Sequence, residues 1–420
     1  MVPKVQVYDR STGEDRLVGT AWFSLRRNAL STVFAYDGDY LSSPDAYAVD
    51  PAFPLSARSY HCDGMPGAFR DSSPDRWGRR LIEKSFQEQS RAEGRSARSL
   101  DEVDYLLGVF DETREGSLRF CEPGGSFAAQ SASIPPIVKL PELLDASRQV
   151  AREEAGLSQI KELLEAGSGS LGGARPKASV LDGRRLLLAK FSHPNDRWDV
   201  MAWEKTMLDL AASAGISVPK SELVHIGNES VLLLERFDRG GSLLGGRRTG
   251  YMSAMTLLGS HDGEQRDYAE LAEAAAMLVG NAREQLSELF RRVVFSVAVG
   301  NVDDHLRNWA FLRKSGKWET SPMFDVNPTP YENEARTTAI LGEVGLRAPQ
   351  ALRELASYAD LDETEAVRIV GDVLSATRNW RRAAKRNRCS AQEEQLFAPA
   401  FERNRAALRE AFGLGTRGGA

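Results

Sequence analysis

The stretch "VAVGNVDDHLRNWAFL", Val297 to Leu312, constrains the fold more than any other part of the chain. Asp303, Asp304, His305, Arg307 and Asn308 lie inside an otherwise apolar run. A buried charge is costly unless it is paired, hydrogen-bonded or bound to metal, so the cluster belongs on a surface loop or in a site. The preceding "QLSELFRRVVFSVAVGN" carries Leu286, Leu289, Phe290, Val293, Val294 and Val297 at helical spacing. That pattern predicts a helix with one buried face, and Gly300 is suited to end it. The polar residues therefore begin on the loop after a helix. Beyond them, "NWAFLRKSGKWETSPMFDV" predicts two short strands around Lys314-Ser315-Gly316-Lys317, with Asp325 just after the second.

Asp303 and Asn308 are separated by four residues, which fits the D-x-x-x-x-N of a kinase catalytic loop. In that loop the Asp accepts the proton of the substrate hydroxyl, the Asn binds magnesium, and an Asp after the hairpin holds magnesium against the phosphates. Asn308 and Asp325 offer the hard oxygen ligands such an ion prefers. An Asp-rich solvated turn is the other reading of this motif alone. The upstream order adds weight to the kinase. "GSGSLGGARPK" is a Gly/Ser loop whose amides could cradle phosphate with Lys177 adding charge, or else a flexible linker. Lys190 closes the apolar strand "RRLLLAK", where it either snorkels or grips phosphate. Glu204 on the next predicted helix is placed to pair with it or to face solvent. After "VLLLERF", backbone groups of Glu235 and Phe237 could meet adenine, or form a plain turn.

At 420 residues and 42% hydrophobic content, the chain can build two or three cores. "KVQVYDR", "LVGTAWFSL" and "ALSTVFAY" alternate as strands, with "STGED" as a turn. The segment from Asp71 to Phe86, with "DRWGRRLIEKSF" at its end, predicts a helix capped by Asp71 or a neighbouring Ser. Glu122 to Pro141 reads as a Gly/Ser/Pro linker before a helical pair. "KASVL" and "RRLLLAKF" flank the hairpin signal Asp182-Gly183. In "VMAWEKTMLDLAASAGI", Met201, Lys205, Leu208 and Ala212 are expected to share one stripe, ended by Gly215. From about Asp267 onward the pattern is mostly helical.

These residues carry a resemblance. "SLGGARPK", "LLLAKF", "LLLERFDR", "GNVDDHLRN" and "SPMFDV", preceded by "SPDRWGRR" and "DYLLGVFDETREGSLRF", resemble the HipA family of serine/threonine-kinase toxins across nearly the whole length. The resemblance implies an α+β, protein-kinase-like two-lobe fold with an N-terminal β-rich subdomain over 1–122. A linker and helical connection would span 123–165, the small-lobe core 166–240 and a mostly helical C-terminal lobe 241–420. It implies Asp303 as catalytic base and Lys190 on ATP. The nucleotide would also meet Gly172, Gly173, Ala174, Arg175, Pro176 and Lys177, the hinge run Glu235, Arg236 and Phe237, then His305, Leu306, Arg307 and Asn308, and Phe324 beside Asp325. Asn308 and Asp325 would hold Mg2+, and Glu204 would be the structural ion-pair partner of Lys190. Ser170 would be the autophosphorylation site that silences the enzyme, since a phosphate beside bound triphosphate is repelled.

The resemblance also implies a HipB-like helix-turn-helix antitoxin, operator DNA bound through that complex, and an aminoacyl-tRNA synthetase as the phosphorylated protein. The chain departs from ordinary protein kinases in lacking G-x-G-x-x-G, H-R-D, D-F-G and A-P-E, so control by activation-loop phosphorylation is not expected. Two other functions are considered. One is a small-molecule kinase of the aminoglycoside-phosphotransferase type, against which the N-terminal subdomain argues. The other is a corepressor bridging antitoxin and DNA, for which the basic run Arg378 to Arg388 with its single Trp380 is the candidate surface. Net charge is −5, so no global basic field points to nucleic acid. Cys62, Cys121 and Cys389 show no metal or disulfide spacing, no apolar run of about 20 residues suggests a membrane span, and the expected compartment is the cytoplasm.

Overall fold

Alternation along "KVQVYD" turns Val5, Val7 and Asp9 inward and makes the first strand, β1 (Lys4–Asp9). In the computed structural model, residues 3–27, 29–128, 134–168, 175–240, 246–332 and 334–415 are described. The chain divides into two units, each with its own core. One comprises Met1–Asn195, His225–Gly259 and Leu312–Gly316; the other comprises Asp196–Val224, Ser260–Phe311 and Lys317–Ala420.

In the first unit β1 joins β2 (Arg16–Arg26), β3 (Ala29–Tyr36), β4 (Ser59–Asp63) and β5 (Leu118–Cys121) in an antiparallel sheet of order β4-β3-β2-β1-β5. Gly19 faces Tyr36 in the register, and a Cβ there would lie 2.3 Å from the Ala35 carbonyl oxygen. The sheet packs on an aromatic cluster in which Phe34 meets Phe53 at 5.1 Å and Phe69 meets Phe120 at 5.1 Å between ring centroids. The helix Arg76–Ala92 is capped by Asp75, whose Oδ1 accepts from Gly78 N at 2.7 Å, and not by Asp71 or a serine as expected. Asp71 instead ends the helix Gly67–Asp71 and accepts from Ser253 N and Oγ at 2.8 and 2.7 Å.

The end of the expected linker is packed: Ile134 is buried with Phe110 and Leu186, and Leu181 N donates to the Pro135 carbonyl at 2.9 Å. The helix Leu140–Ala151 starts inside it. The hairpin of β6 (Lys177–Asp182) and β7 (Arg185–Phe191) forms with Gly183 at φ 59°, as its sequence predicts. After β8 (Ser221–Ile226), β9 (Glu229–Glu235) pairs antiparallel with β7.

Two buried carboxylates gather the arginines of this unit. Asp111 accepts from Arg119 Nε at 2.7 Å and Arg248 Nη2 at 3.1 Å, with Arg114 Nε at 3.5 Å. Burial pulls the Asp111 carboxyl upward, but Arg248, Arg114 and Arg119 outweigh it and hold the pKa below the ordinary value. Asp238 takes both Nε and Nη2 of Arg236, at 2.7 and 2.6 Å, and Nη1 of Arg239 at 2.6 Å.

The second unit is mainly helical. The expected helix spans Ala282–Val299, with Phe290, Val293 and Val294 fully buried, and Gly300 ends it at φ 70°. The helix Val200–Ser213 departs from the expected stripe. Met201 and Leu208 are buried, but so are Ala202, Trp203, Met207 and Ala211, while Lys205 turns to Asp209 and Ala212 is exposed. Trp203 explains this, since it packs on Phe397 at 4.1 Å and draws a second face of the helix inward. Trp380 stacks on Phe401 at 4.7 Å and is 1% exposed, so the aromatic of the basic run belongs to the core. Arg381 and Arg386 of that run pair with Glu402 and Asp209. No described helix is long and apolar enough to cross a membrane.

Asp111→Ala would leave Arg114, Arg119 and Arg248 buried without their shared anion. We expect a loss of about 3–5 kcal/mol, read from the urea midpoint of the first unit's unfolding. An unshifted midpoint would show that the arginines find other partners.

Candidate active site

The doublet Asp303-Asp304 answers why charges interrupt the apolar run, and its two members differ. Asp304 is 3% exposed. Its Oδ2 accepts from Tyr268 OH at 2.5 Å and Ser296 Oγ at 2.8 Å, and its Oδ1 accepts from Trp309 Nε1 at 2.9 Å. Its carbonyl accepts from Thr338 Oγ1 at 2.7 Å, and Arg336 Nη2 lies 4.0 Å from Oδ2. Burial, then the Asp304 charge, pushes the Tyr268 pKa far up, so this hydroxyl stays a donor. The sequence alone does not distinguish the part of Asp304 from that of Asp303. The available signal was an acid inside an apolar run directly after a helix stop.

Asp303 turns the other way and reaches solvent. Partial burial of its carboxyl is the largest influence on its pKa, which lies above the ordinary value; Asp325 adds to the rise, while His305 and the Thr337 hydroxyl oppose it. Asn308 closes a 3-10 turn, Leu306–Asn308, with its N donating to His305 O at 2.8 Å. Its Nδ2 donates to the Asp303 carbonyl at 3.2 Å and the Asp325 carbonyl at 3.5 Å. The Asn308 side chain therefore ties the loop to the segment carrying Asp325 and keeps its Oδ1 as an acceptor. Asp325 has φ 54°, in the left-handed region that Asp tolerates better than bulky residues, and its Oδ1 accepts from Asn327 Nδ2 at 3.5 Å. The Asn308 Oδ1 and the Asp325 carboxylate are hard oxygen donors that fit a magnesium ion bound partly through phosphate.

Leu306 is 4% exposed and its side chain belongs to the core. His305 is half-buried with Nδ1 unpaired, and Arg307 pairs with Asp262 at 2.5 Å. Phe324 is half-buried. In the first unit Lys190 lies on β7 at 6% exposure, directly opposite Lys177 in the register. Lys177 is 1% exposed and ion-paired with the helix cap Asp75. The Arg236 side chain is taken by Asp238 and the Thr113 carbonyl, and its N donates to Leu186 O at 3.0 Å. Glu235 ends β9 opposite Leu187, and Phe237 follows. Arg175 and Pro176 lead into β6. Glu204 is 1% exposed on the helix Val200–Ser213 of the second unit. Ser170, Gly172, Gly173 and Ala174 lie outside the described residues. Just before them, Ser168 is fully buried and accepts from Trp77 Nε1 at 3.3 Å.

Two family models match the chain: the HipA-like C-terminal domain over residues 169–380 and the HipA N-terminal domain over residues 13–102. The chain belongs to the HipA family. The HipA of Shewanella oneidensis MR-1, solved as a toxin–antitoxin complex with HipB and operator DNA, shares its fold at TM-score 0.66 and 17% identity, over 97% of both chains. A Haemophilus influenzae protein carrying the provisional name of a kinase is 25% identical over 33% of this chain and 44% of its own length. The provisionally named kinase Y4dM of Sinorhizobium fredii is 24% identical over 44% of this chain and 49% of its own. The matches thus span less than half of either curated relative. The mixed α/β architecture of the HipA fold holds here, with the sheet-rich N-terminal region and helical C-terminal region that the sequence predicts.

Replacing Asp304 by Ala would leave Tyr268, Ser296 and Trp309 as buried donors without an acceptor. We expect about 3 kcal/mol of destabilisation, measured by thermal unfolding, with a smaller loss for Asp304→Asn, which keeps an acceptor oxygen. Equal stability of all three proteins would remove Asp304 as the loop's anchor.

Proposed function

We propose that this HipA-family chain is an ATP-dependent serine/threonine protein kinase acting as the toxin of a toxin–antitoxin module. The observation that carries the reading is the join made by Asn308 Nδ2 between the carbonyls of Asp303 and Asp325. It draws base and metal-ligand candidates into one site, in the order a kinase uses them.

In this reading Asp303 accepts the proton of a Ser or Thr hydroxyl as its oxygen bonds to the γ-phosphorus. The bond from that phosphorus to the β-phosphate oxygen breaks, and ADP leaves with the electron pair. The raised pKa of Asp303 suits a base. Asn308 Oδ1 and Asp325 would hold Mg2+, which neutralises phosphate charge when bound. Lys190 is assigned to the phosphates with Glu204 as its ion-pair partner, and the run Glu235 to Phe237 to adenine. The residues from Gly172 to Lys177 would cover the nucleotide, and Ser170 would be the self-inactivating phosphorylation site.

A HipB-like antitoxin and operator DNA are proposed partners, supported by family membership and by the Shewanella oneidensis complex. The protein acceptor is proposed to be an aminoacyl-tRNA synthetase, with inhibition of translation in the cytoplasm as the outcome. The N-terminal domain argues against a small-molecule kinase of the aminoglycoside-phosphotransferase type. The bridging alternative draws on Arg378, Arg382, Lys385 and Arg388, which are exposed, but Trp380 is unavailable to stack on a base.

Two substitutions test the site. Asp303→Asn should cut phosphoryl transfer by roughly 10²–10⁴-fold with thermal stability retained. Labelled ATP, magnesium and cell extract provide the assay, and full labelling by the folded variant would refute the base. Asp325→Asn should raise the magnesium concentration needed for half-maximal turnover, because an anionic oxygen ligand is lost. An unchanged magnesium titration would take Asp325 out of the site.

A further inference from the structure

A second hydroxyl-bearing residue meets the proposed base. Thr337 Oγ1 donates to Asp303 Oδ1 at 3.4 Å. Thr337 follows Asp325 by twelve positions in the sequence, and nothing in its local pattern suggests a site. The structure clamps its backbone at both polar groups. Its N donates to the Val302 carbonyl at 2.9 Å, one residue before Asp303. Its carbonyl accepts from Gln265 Nε2 at 2.7 Å. The next residue, Thr338, bonds the Asp304 carbonyl through Oγ1 at 2.7 Å and pairs in parallel with Arg266. With its backbone held on both sides, Thr337 retains mainly χ1 freedom, and a β-branched side chain restricts that as well.

A carboxylate on an exposed loop can rotate, and a base works only when one oxygen faces the acceptor. We propose that Thr337 is a positioning residue: its hydroxyl fixes Oδ1 of Asp303 so that Oδ2 faces the incoming Ser or Thr hydroxyl. This rests on the reading of Asp303 as the base. The bond is long in the free protein, as catalytic hydrogen bonds often are before substrate binds. The arrangement divides the labour between neighbours. Thr338 and the donors around Asp304 hold the loop's backbone, and Thr337 holds the one side chain that must aim. Thr337 acts through Asp303 and has no contact of its own with the reacting phosphorus in this scheme.

The test uses the full chain with ATP and magnesium, following labelled γ-phosphate released or transferred, alongside Thr337→Val, Thr337→Ser and Asp303→Asn. Thr337→Val should lower kcat about tenfold or more, the scale of one charge-assisted hydrogen bond. Its KM for ATP should stay within about twofold, since ground-state nucleotide binding is untouched. Thr337→Ser, which keeps the hydroxyl, should restore most of kcat. Should Thr337→Val unfold, Thr337→Ala removes the hydroxyl without crowding and carries the same comparison. A wild-type kcat in the hydroxyl-free variants, with Asp303→Asn inactive, overturns the positioning role and leaves the base intact. Wild-type turnover in Asp303→Asn overturns both. Phosphate recovered on Thr337 by mass spectrometry also overturns the proposal, because the hydroxyl would then be an acceptor and not a positioning group.

Discussion

The buried carboxylate of Asp304 is the constraint on which the candidate site depends. Its three side-chain donors come from separate parts of the second unit: Tyr268 from one helix, Ser296 from the last turn of another, and Trp309 from just after the loop. A buried anion without them would be expelled or protonated; with them it draws those segments onto one point. The consequence falls on Asp303. Its backbone is fixed through its neighbour, while its own side chain remains accessible. Two adjacent acids therefore serve opposite ends, and the loop needs no regular structure of its own to be held. Arg336 lies beyond hydrogen-bonding distance, so its charge favours the anion without taking one of its acceptor sites.

A similar economy governs the first unit. Asp75 caps the helix Arg76–Ala92 through one oxygen and meets the Lys177 ammonium through the other. Trp77, two residues on, donates to Ser168. One short N-terminal motif thus fixes the chain on both sides of residues 169–174. Asp111 likewise brings Arg248, 137 positions along the chain, to Arg114 and Arg119, whereas Asp238 takes Arg236 and Arg239 from beside it in the sequence. Such buried ionic groups add less to stability than their number suggests, because desolvation offsets most of the attraction. They do penalise wrong arrangements, since any misplaced arginine would be buried alone.

What could be read from the sequence was local. The helix Ala282–Val299, its stop at Gly300, the hairpin at Gly183 and the spacing of Asp303 and Asn308 all follow from periodicity or from one residue's backbone preference. The motifs carried family membership as well. What could not be read was the choice of partner. Lys177 carries no mark that an ion-pair partner, Asp75, stands 102 residues away. The burial of Trp203 against Phe397, nearly two hundred positions along the chain, likewise overrode the expected stripe on its helix. Thr337 is the extreme case, an ordinary threonine whose significance lies wholly in where Val302 and Gln265 hold its backbone.

The same dependence on neighbours makes the proposed base and the proposed metal ligands one electrostatic unit. Burial raises the Asp303 pKa most, and the negative charge of Asp325 raises it further. A cation held by Asp325 and Asn308 would reduce that second push, so under the proposed mechanism the basicity of Asp303 would fall as the site bound metal. On that proposal, replacing Asp325 by a neutral residue would have two effects of different origin: a hard ligand would be lost, and the charge that lifts the Asp303 pKa would disappear. A rate at one magnesium concentration mixes the two. The position of the magnesium curve reports the ligand, and its plateau reports the base. A variant that lowered only the plateau would mark Asp325 as an electrostatic neighbour of Asp303 and not as a ligand, a distinction the rate alone cannot make.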